Sequence, residues 1–153
     1  MAARLKDILD SLKSAIESIG IDADARKTVS FKQLAGRWDL ARTQGNLYDR
    51  AFCFELRRSP GMPHNFGYGD QGTISVTVAL RVGHTQYPEL LDNEKKLAHD
   101  VEKLTALFAR EATVSGCGAE NIESGGITVD QRNPEFFELV APLTIEYVLD
   151  LTI

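Results

Sequence analysis

The sequence is poor in the residues that build disulfides and metal sites. Its 153 residues include two cysteines, Cys53 and Cys117, and three histidines, each in a different part of the chain. Two cysteines without a closely spaced histidine pair do not supply the four ligands of a structural zinc site. We therefore expect two reduced thiols, no metal and no cofactor.

Long apolar runs are also missing. No stretch approaches the roughly 18 apolar residues that a membrane-spanning helix needs. The first residues carry a charge every few positions, unlike the apolar centre of a signal peptide. We expect a protein that is made in a cytoplasm and either stays there or is assembled there into a larger structure. We expect no contact with a membrane.

The sequence lacks the motifs of nucleotide-binding and catalytic sites. There is no G-x4-G-K-[ST] loop, and Gly67-Tyr68-Gly69 lacks the third glycine of a dinucleotide-binding turn. Cys53 and His84 could meet across neighbouring strands as nucleophile and base, but no evident third group orients them. We therefore expect that the protein is not an enzyme.

The composition is that of one globular domain spanning residues 1–153. Apolar residues make up 43% of the chain and charged residues 25%. The net charge is −5, but residues 26–58 hold eight basic and three acidic side chains, which leaves −10 for the rest. This division suits a head-to-tail contact between copies, although ordinary surface scatter gives it too. An acidic chain argues against tight DNA binding.

Apolar periodicity predicts two amphipathic helices. The first spans Ala3–Ile19, with apolar residues at three- and four-residue steps and Gly20 as its cap. The second runs from an N-cap at Asp92 to about Arg110, with His99 expected at the surface. Its apolar side is formed by Leu97, Val101, Leu104, Leu107 and Phe108, and its wet side by Lys96, Asp100, Glu102 and Lys103.

Alternation of apolar and polar residues predicts the strands. Two of them, Phe52–Leu56 and Thr73–Val82, are followed after the second helix by a hairpin at Ile122–Val129 with a Gly-Gly turn. A last strand covers Phe137–Leu151, and Pro142 places part of it at an edge or bulge. The elements predict an α+β fold, a mixed or antiparallel sheet with two helices packed on it.

Two features exceed what a generic domain needs. The loop from Arg58 to Gly72 carries Met62, His64, Phe66 and Tyr68 among glycines, which suits ordering on a partner or a merely exposed connection. The last strand is about three times the usual length of five or six residues. It therefore either projects towards another subunit or bends across one domain. Its polar side carries Glu138, Glu146 and Asp150.

The order of these elements resembles the tail terminator, or tail completion, proteins of long-tailed bacteriophages. The resemblance covers the helix from Leu5 to Ile19, the strand Arg50-Ala-Phe-Cys-Phe-Glu-Leu and the glycine-rich loop after it. It continues with the strand from Ile74 to Val82, the helix from Asp92 to Arg110 and the closing strand from Phe137 to Leu151. It lies in this layout and involves no invariant motif.

The resemblance implies a homohexameric ring in the virion tail or neck, assembled in the host cytoplasm. Such a ring caps the tail tube, stops its growth, provides the head-side connector with a surface and lets DNA pass with transient, non-specific contact. We expect interface residues in Arg57, Arg58, Met62, His64, Phe66, Tyr68, Glu138, Glu146 and Asp150. Alternatives are a head-completion or stopper connector protein, and a cytosolic domain that binds a small ligand or a peptide.

Overall fold

The structure is a computed structural model that describes residues 4–19, 31–34, 38, 49–58, 71–85, 90–130 and 136–150. Within these ranges the helices are α1 (Leu5–Glu17), α2 (Leu90–Ala109) and α3 (Glu111–Gly116). The strands are β1 (Lys32–Gln33), β2 (Ala51–Arg58), β3 (Gln71–Thr85), β4 (Asn121–Ser124), β5 (Thr128–Asp130) and β6 (Phe136–Asp150).

The six strands form one mixed sheet. Their order across it is β1-β2-β3-β6-β4, and β5 pairs with β6 on the same side as β4. β1 runs parallel to β2, whereas the other pairings of the described strands are antiparallel. A mixed sheet accompanied by helices confirms the predicted α+β fold.

One face of the sheet is apolar because the side chains of each strand alternate between its two faces. On β3 the buried positions are Ile74, Val76, Val78, Leu80 and Val82. Their partners on β6 are buried as well: Tyr147, Ile145, Leu143, Ala141 and Leu139. These residues form one core with the buried sides of α1 and α2. The other face, called the open face below, carries mainly threonine, serine and charged side chains.

The helices follow the predicted apolar stripes with small differences at their ends. α1 buries Ile8, Leu12 and Ile16, which recur every fourth residue. α2 begins at Leu90, so the predicted cap Asp92 lies inside the helix. Helix α3 is not predicted from the sequence, because its six residues show no apolar stripe and none of them is buried.

The predicted hairpin at Ile122–Val129 is wrong. β4 and β5 do not pair with each other, since both pair with β6: Ser124 lies opposite Leu143, and Thr128 lies opposite Val140. Between these two pairs the chain advances by four residues along β4 and β5, but by only three along β6. β4 and β5 together therefore contain one extra residue, and the segment with the glycine pair is a bulge and not a turn. β4 and β5 therefore make one interrupted edge, called the β4–β5 edge below.

Pro142 accounts for this interruption. Its carbonyl accepts a hydrogen bond from the N–H of Gly125 at 2.9 Å. In an antiparallel sheet the N–H and the C=O of one residue point to the same neighbouring strand. The carbonyl of Pro142 points to the β4–β5 side, so the N–H that proline lacks would have pointed there too, and the ladder is interrupted on that side. A Cβ on Gly125 would lie 3.0 Å from the Pro142 ring. The bulge predicted from Pro142 is confirmed, although β6 is an inner strand.

β3 and β6 pair without interruption over their full 15-residue lengths. β2 pairs with β3 only from Thr77 onward, and β4 pairs with β6 only as far as Glu146. Residues 71–74 and 147–150 thus form a two-stranded ribbon beyond the other strands that the structure describes. The last strand extends past the other strands that the structure describes, and β3 extends with it.

Among the described residues, no helix has both the length and the apolar character needed to cross a membrane. The predicted loop between Arg58 and Gly72 can be compared only at its ends. Arg58 ends β2 and Gly72 lies in β3, whereas residues 59–70 are outside the described part of the chain.

Replacing Leu143 with Ala tests the register of the β3–β6 pairing. Leu143 is fully buried, so the variant leaves a cavity, and we expect the free energy of unfolding to fall by about 2–5 kcal/mol. The neighbouring Thr144 lies on the open face, and Thr144→Ala should cost less than about 1 kcal/mol. Urea unfolding at one protein concentration measures both, and equal losses would contradict this register.

Candidate assembly surface

Both lateral edges of the sheet are open in the part of the chain that the structure describes. β1 pairs only with Ala51 and Phe52 at the start of β2, so the remainder of β2 has no described strand on that side. The β4–β5 edge likewise carries no further described strand. Open edges present unpaired backbone donors and acceptors, and natural proteins either protect them or cover them with a partner.

The β2 edge carries an exposed apolar side chain next to a groove. Leu56 is 61% exposed, although it lies opposite the buried Val78 on the apolar face. The groove, of about 440 Å³, opens between α1 and the sheet. Its lining is formed by Leu5, Lys6, Leu9, Asp10, Gln33, Phe54, Leu56 and Val78. This edge can therefore receive an apolar side chain.

A row of ion pairs crosses the open face. Arg57 contacts Glu55 at 2.8 Å, Glu55 contacts Arg81 at 2.8 Å, and Arg81 also contacts Glu138. The row thereby joins β2, β3 and β6. Arg57 is the extra residue of a bulge in β2 and is half exposed, whereas Glu138 is buried. Arg57 is thus the accessible end of the row.

Glu138 does not have the exposure expected of an acidic partner for another subunit. Its charge is met within the same chain by Arg81, whose guanidinium also lies 5.3 Å from the ring centre of the buried Trp38. Burial alone would lower the pKa of Arg81, but its hydrogen bonds to Glu138 and Glu55 raise it. Arg81 therefore stays charged. Glu138 is buried, so the expectation that it is accessible is wrong.

The β4–β5 edge is acidic. β4 and β5 carry two acidic side chains, Glu123 and Asp130, and no basic one. Glu123 is exposed, as is Glu120, which directly precedes β4. Val129 of β5 is 40% exposed. Within the described residues, Val129 and Leu56 are the two large apolar side chains that stay exposed. Each open edge thus carries one of them.

The other predicted interface residues are not gathered at one place. Glu146 is partly buried on the open face, opposite Asn121 of β4. Asp150 ends the ribbon, with its backbone paired to Gln71. Arg58 ends β2, and its side chain is outside the description. The predicted loop residues Met62, His64, Phe66 and Tyr68 lie outside the described residues.

A buried network of charged groups joins the sheet to α2. Asp100 accepts a hydrogen bond from Nε of Arg50 at 2.8 Å and contacts Nε2 of His84 through the same oxygen. Its other oxygen lies 2.9 Å from Nδ1 of His99. The side chains of Arg50, His84 and Asp100 are completely buried. The network ties the start of β2 and the end of β3 to the helix.

Asp49 and Lys96 extend this network. Asp49 accepts a hydrogen bond from Nη1 of Arg50 at 3.1 Å and another from Nζ of Lys96. Arg50 has a φ of 58°, a left-handed conformation that few non-glycine residues adopt, and its N–H donates to Gly83 at 2.7 Å. The cluster therefore contains two cations and two carboxylates, so the buried charges balance when the histidines are neutral.

Helical spacing predicts Lys96 and Asp100 on the wet side of α2 and His99 at the surface, and both predictions are wrong. Lys96 and Asp100 are buried, and His99 contacts Asp100. A signal was available, because Lys96, Asp100 and Leu104 follow one another at four-residue steps and so share one helical stripe. What the sequence does not show is the partners, Arg50 and His84, which come from two distant strands.

Burial and hydrogen bonding move the pKa values in this network. Burial lowers the pKa of His84 below 6.5 and outweighs its hydrogen bond with Asp100. Burial alone would raise the pKa of Asp100, but hydrogen bonding to His84 and the charge of Arg50 lower it to about 2. Burial also lowers the pKa of Lys96, against the effect of Asp49. Asp100 therefore stays ionised while His84 stays neutral.

Cys53 and His84 are not brought together as nucleophile and base. Cys53 lies opposite Arg81 on the open face, whereas His84 contacts Asp100 of α2 on the apolar face. Burial and the charge of Glu55 raise the pKa of Cys53 to about 12, which is the opposite of what a nucleophilic thiol requires. In the described ranges, no three His, Cys, Asp or Glu residues are grouped to hold a metal ion.

Comparison with known proteins does not assign a family. The chain matches no protein-family model, and no curated protein matches its sequence.

Replacing Asp100 with Asn tests the buried network. The variant removes one of the two carboxylates that contact the fully buried Arg50, and we expect the free energy of unfolding to fall by about 3–5 kcal/mol. Glu102→Gln on the exposed side of α2 is the matched control and should change it by less than about 0.5 kcal/mol. Urea unfolding at pH 7.5 measures both. If Asp100→Asn were as stable as the control, the network would have no structural role.

The lowered pKa of His84 predicts acid sensitivity. The unfolded chain takes up a proton on His84 near pH 6.5, whereas the folded chain does so only at lower pH. Its stabilising contribution is therefore complete above pH 6.5 and is lost as the pH falls towards the folded pKa. Urea midpoints between pH 7.5 and 5.5 should fall in the parent protein and fall less in His84→Gln. Parallel curves would show that His84 does not titrate in this way.

Proposed function

We propose that the chain is a structural virion protein of a long-tailed bacteriophage and acts as a tail terminator. Six copies form a ring that caps the tail tube, stops its growth and offers a surface to the head-side connector. The observation that carries this proposal is the two-stranded ribbon of residues 71–74 and 147–150, which projects past the neighbouring strands of the sheet.

The ribbon has the properties of an arm that contacts another molecule. On its apolar face Ile74 and Tyr147 are buried, so the core holds the ribbon in a fixed direction. On its open face Thr73 and Val148 are partly exposed, and neither strand of the ribbon has a further described neighbour. Strands without a neighbouring strand invite pairing with another chain, so a natural partner is expected.

A ring needs two different contact surfaces on each copy, because each copy touches one neighbour on either side. The described part of the chain offers two open sheet edges of different composition. The ribbon, which extends along the strands, is then left for the tail tube or the head-side connector. The element order adds the resemblance to tail terminators described above.

The charge of the chain suits a ring through which DNA passes. Each copy has a net charge of −5, and an acidic protein neutralises few phosphates and so releases few of the counterions that drive tight DNA binding. DNA contact in the lumen is then transient and non-specific.

The proposal is tested by adding the purified protein to tail-tube protein from the same phage during assembly. We expect rings at one end of each tube and an end to tube growth, seen by electron microscopy. Binding to the portal-side complex without binding to tubes would instead identify a head-completion or stopper protein. A monomer that carries a bound small molecule or peptide would reject a virion role.

A double charge reversal, Arg57→Glu with Arg58→Glu, tests whether the β2 edge takes part in assembly. We expect folded monomers that no longer form rings or cap tubes, because the accessible cation of the edge is replaced by an acid. Lys95→Glu with Lys103→Glu makes the same charge change at exposed positions of α2 and should leave assembly intact. Circular dichroism checks folding and tube-length distributions report capping. Normal capping by the Arg57 and Arg58 variant would exclude this edge.

A further inference from the structure

The two open edges also identify the contact between copies. We propose that the β4–β5 edge of one copy docks against the β2 edge of the next, with Val129 seated in the groove beside Leu56. The partner is thus a second copy of this chain. The inference rests on the proposed ring and adds which surfaces build it.

The exposed apolar side chains of the two edges lie on the same face of the sheet. Leu56 is paired with Val78, and Val129 is paired with Leu139, and both partners belong to the buried apolar face. Two copies placed side by side in the same orientation therefore bring Val129 of one and Leu56 of the other to the same side of the extended sheet. The groove next to Leu56 opens on that side, between α1 and the sheet.

The directions of the strands are also compatible. β2 and β6 each run antiparallel to β3, and β4 and β5 run antiparallel to β6, so β2 is antiparallel to the β4–β5 edge. Copies related by rotation around a ring thus continue the antiparallel alternation at each junction. Across the sheet, Leu56 is level with Leu143 of β6, and Val129 is level with Leu139. Contact between Leu56 and Val129 therefore requires neighbouring copies to be offset by four residues along the strands. A closed ring of tilted strands contains offsets of this kind.

Charge favours contact between unlike edges over contact between like edges. β4 and β5 carry two acids, Glu123 and Asp130, and no base, so two β4–β5 edges would repel each other. β2 carries two arginines and one glutamate, and the half-exposed guanidinium of Arg57 lies at its edge. Glu123 of the β4–β5 edge is exposed. The acidic edge of one copy therefore meets a basic edge of the next.

A disulfide cross-link between copies tests this docking directly. Under mild oxidation, the full-length double variant Leu56→Cys with Val129→Cys should give a ladder of covalent multimers up to the closed ring. Each single variant should give no ladder, because a head-to-tail contact never brings two copies of the same position together. Leu56→Cys with Glu102→Cys is the matched control, with its second thiol at an exposed position of α2 instead of on β5. The unaltered protein controls for Cys53 and Cys117.

The outcomes separate this docking from the proposed function. A ladder that only the double variant gives supports the docking. If the cross-linked particles do not stop tube growth, the docking is still supported but the tail-terminator role is rejected. A normal ring without a ladder overturns the docking and leaves the proposed function standing. Covalent dimers from Leu56→Cys alone would reveal a two-fold contact and also overturn it.

A charge variant keeps the test independent of thiol chemistry. Glu123→Lys should weaken ring assembly at low salt at least severalfold, measured as the protein concentration at half assembly, because it reverses an exposed charge on the acidic edge that approaches the basic β2 edge of the next copy. Glu102→Lys, the same change on the exposed side of α2, should not shift that concentration. An unchanged midpoint for Glu123→Lys would count against the proposed docking.

Discussion

The uninterrupted pairing of β3 with β6 is the constraint on which the rest of the structure depends. Its register, from Gln71 opposite Asp150 to Thr85 opposite Phe136, puts the apolar residues of both strands on one face. A slip by one residue would turn one of these apolar sets to the other face, so burial of the core fixes the register strongly. The same register determines which strands flank the pair, where the two edges stay open and how far the ribbon projects.

The buried network around Asp100 acts at one end of this pairing. Balanced buried charges often contribute little more to stability than apolar residues of the same size would. Its value here is positional, because it ties Arg50 at the start of β2 and His84 near the end of β3 to α2. The opposite end of β2 carries Leu56 and Arg57, so the position of this edge depends on an anchor far from it.

Local patterns predicted much of the fold and little of the site. Alternation and helical spacing located β3, β6 and the first helix, because each pattern is contained in one segment. The glycine pair at Gly125 and Gly126 misled, since a local turn signal was overridden by pairing with β6 beside Pro142. Glu138 and Asp100 were misplaced for a similar reason: the cations that make their burial possible, Arg81 and Arg50, come from other strands. The edges could not be read from the sequence because they depend on strand order.

We propose that the open edges and the ribbon serve assembly into a closed ring. The mass of the native particle, measured by native mass spectrometry at increasing protein concentration, tests this proposal. A closed ring predicts one dominant species of six chains, each of 16.9 kDa, with no larger open polymers. A species that stays at 16.9 kDa at the highest concentration reached would contradict the account.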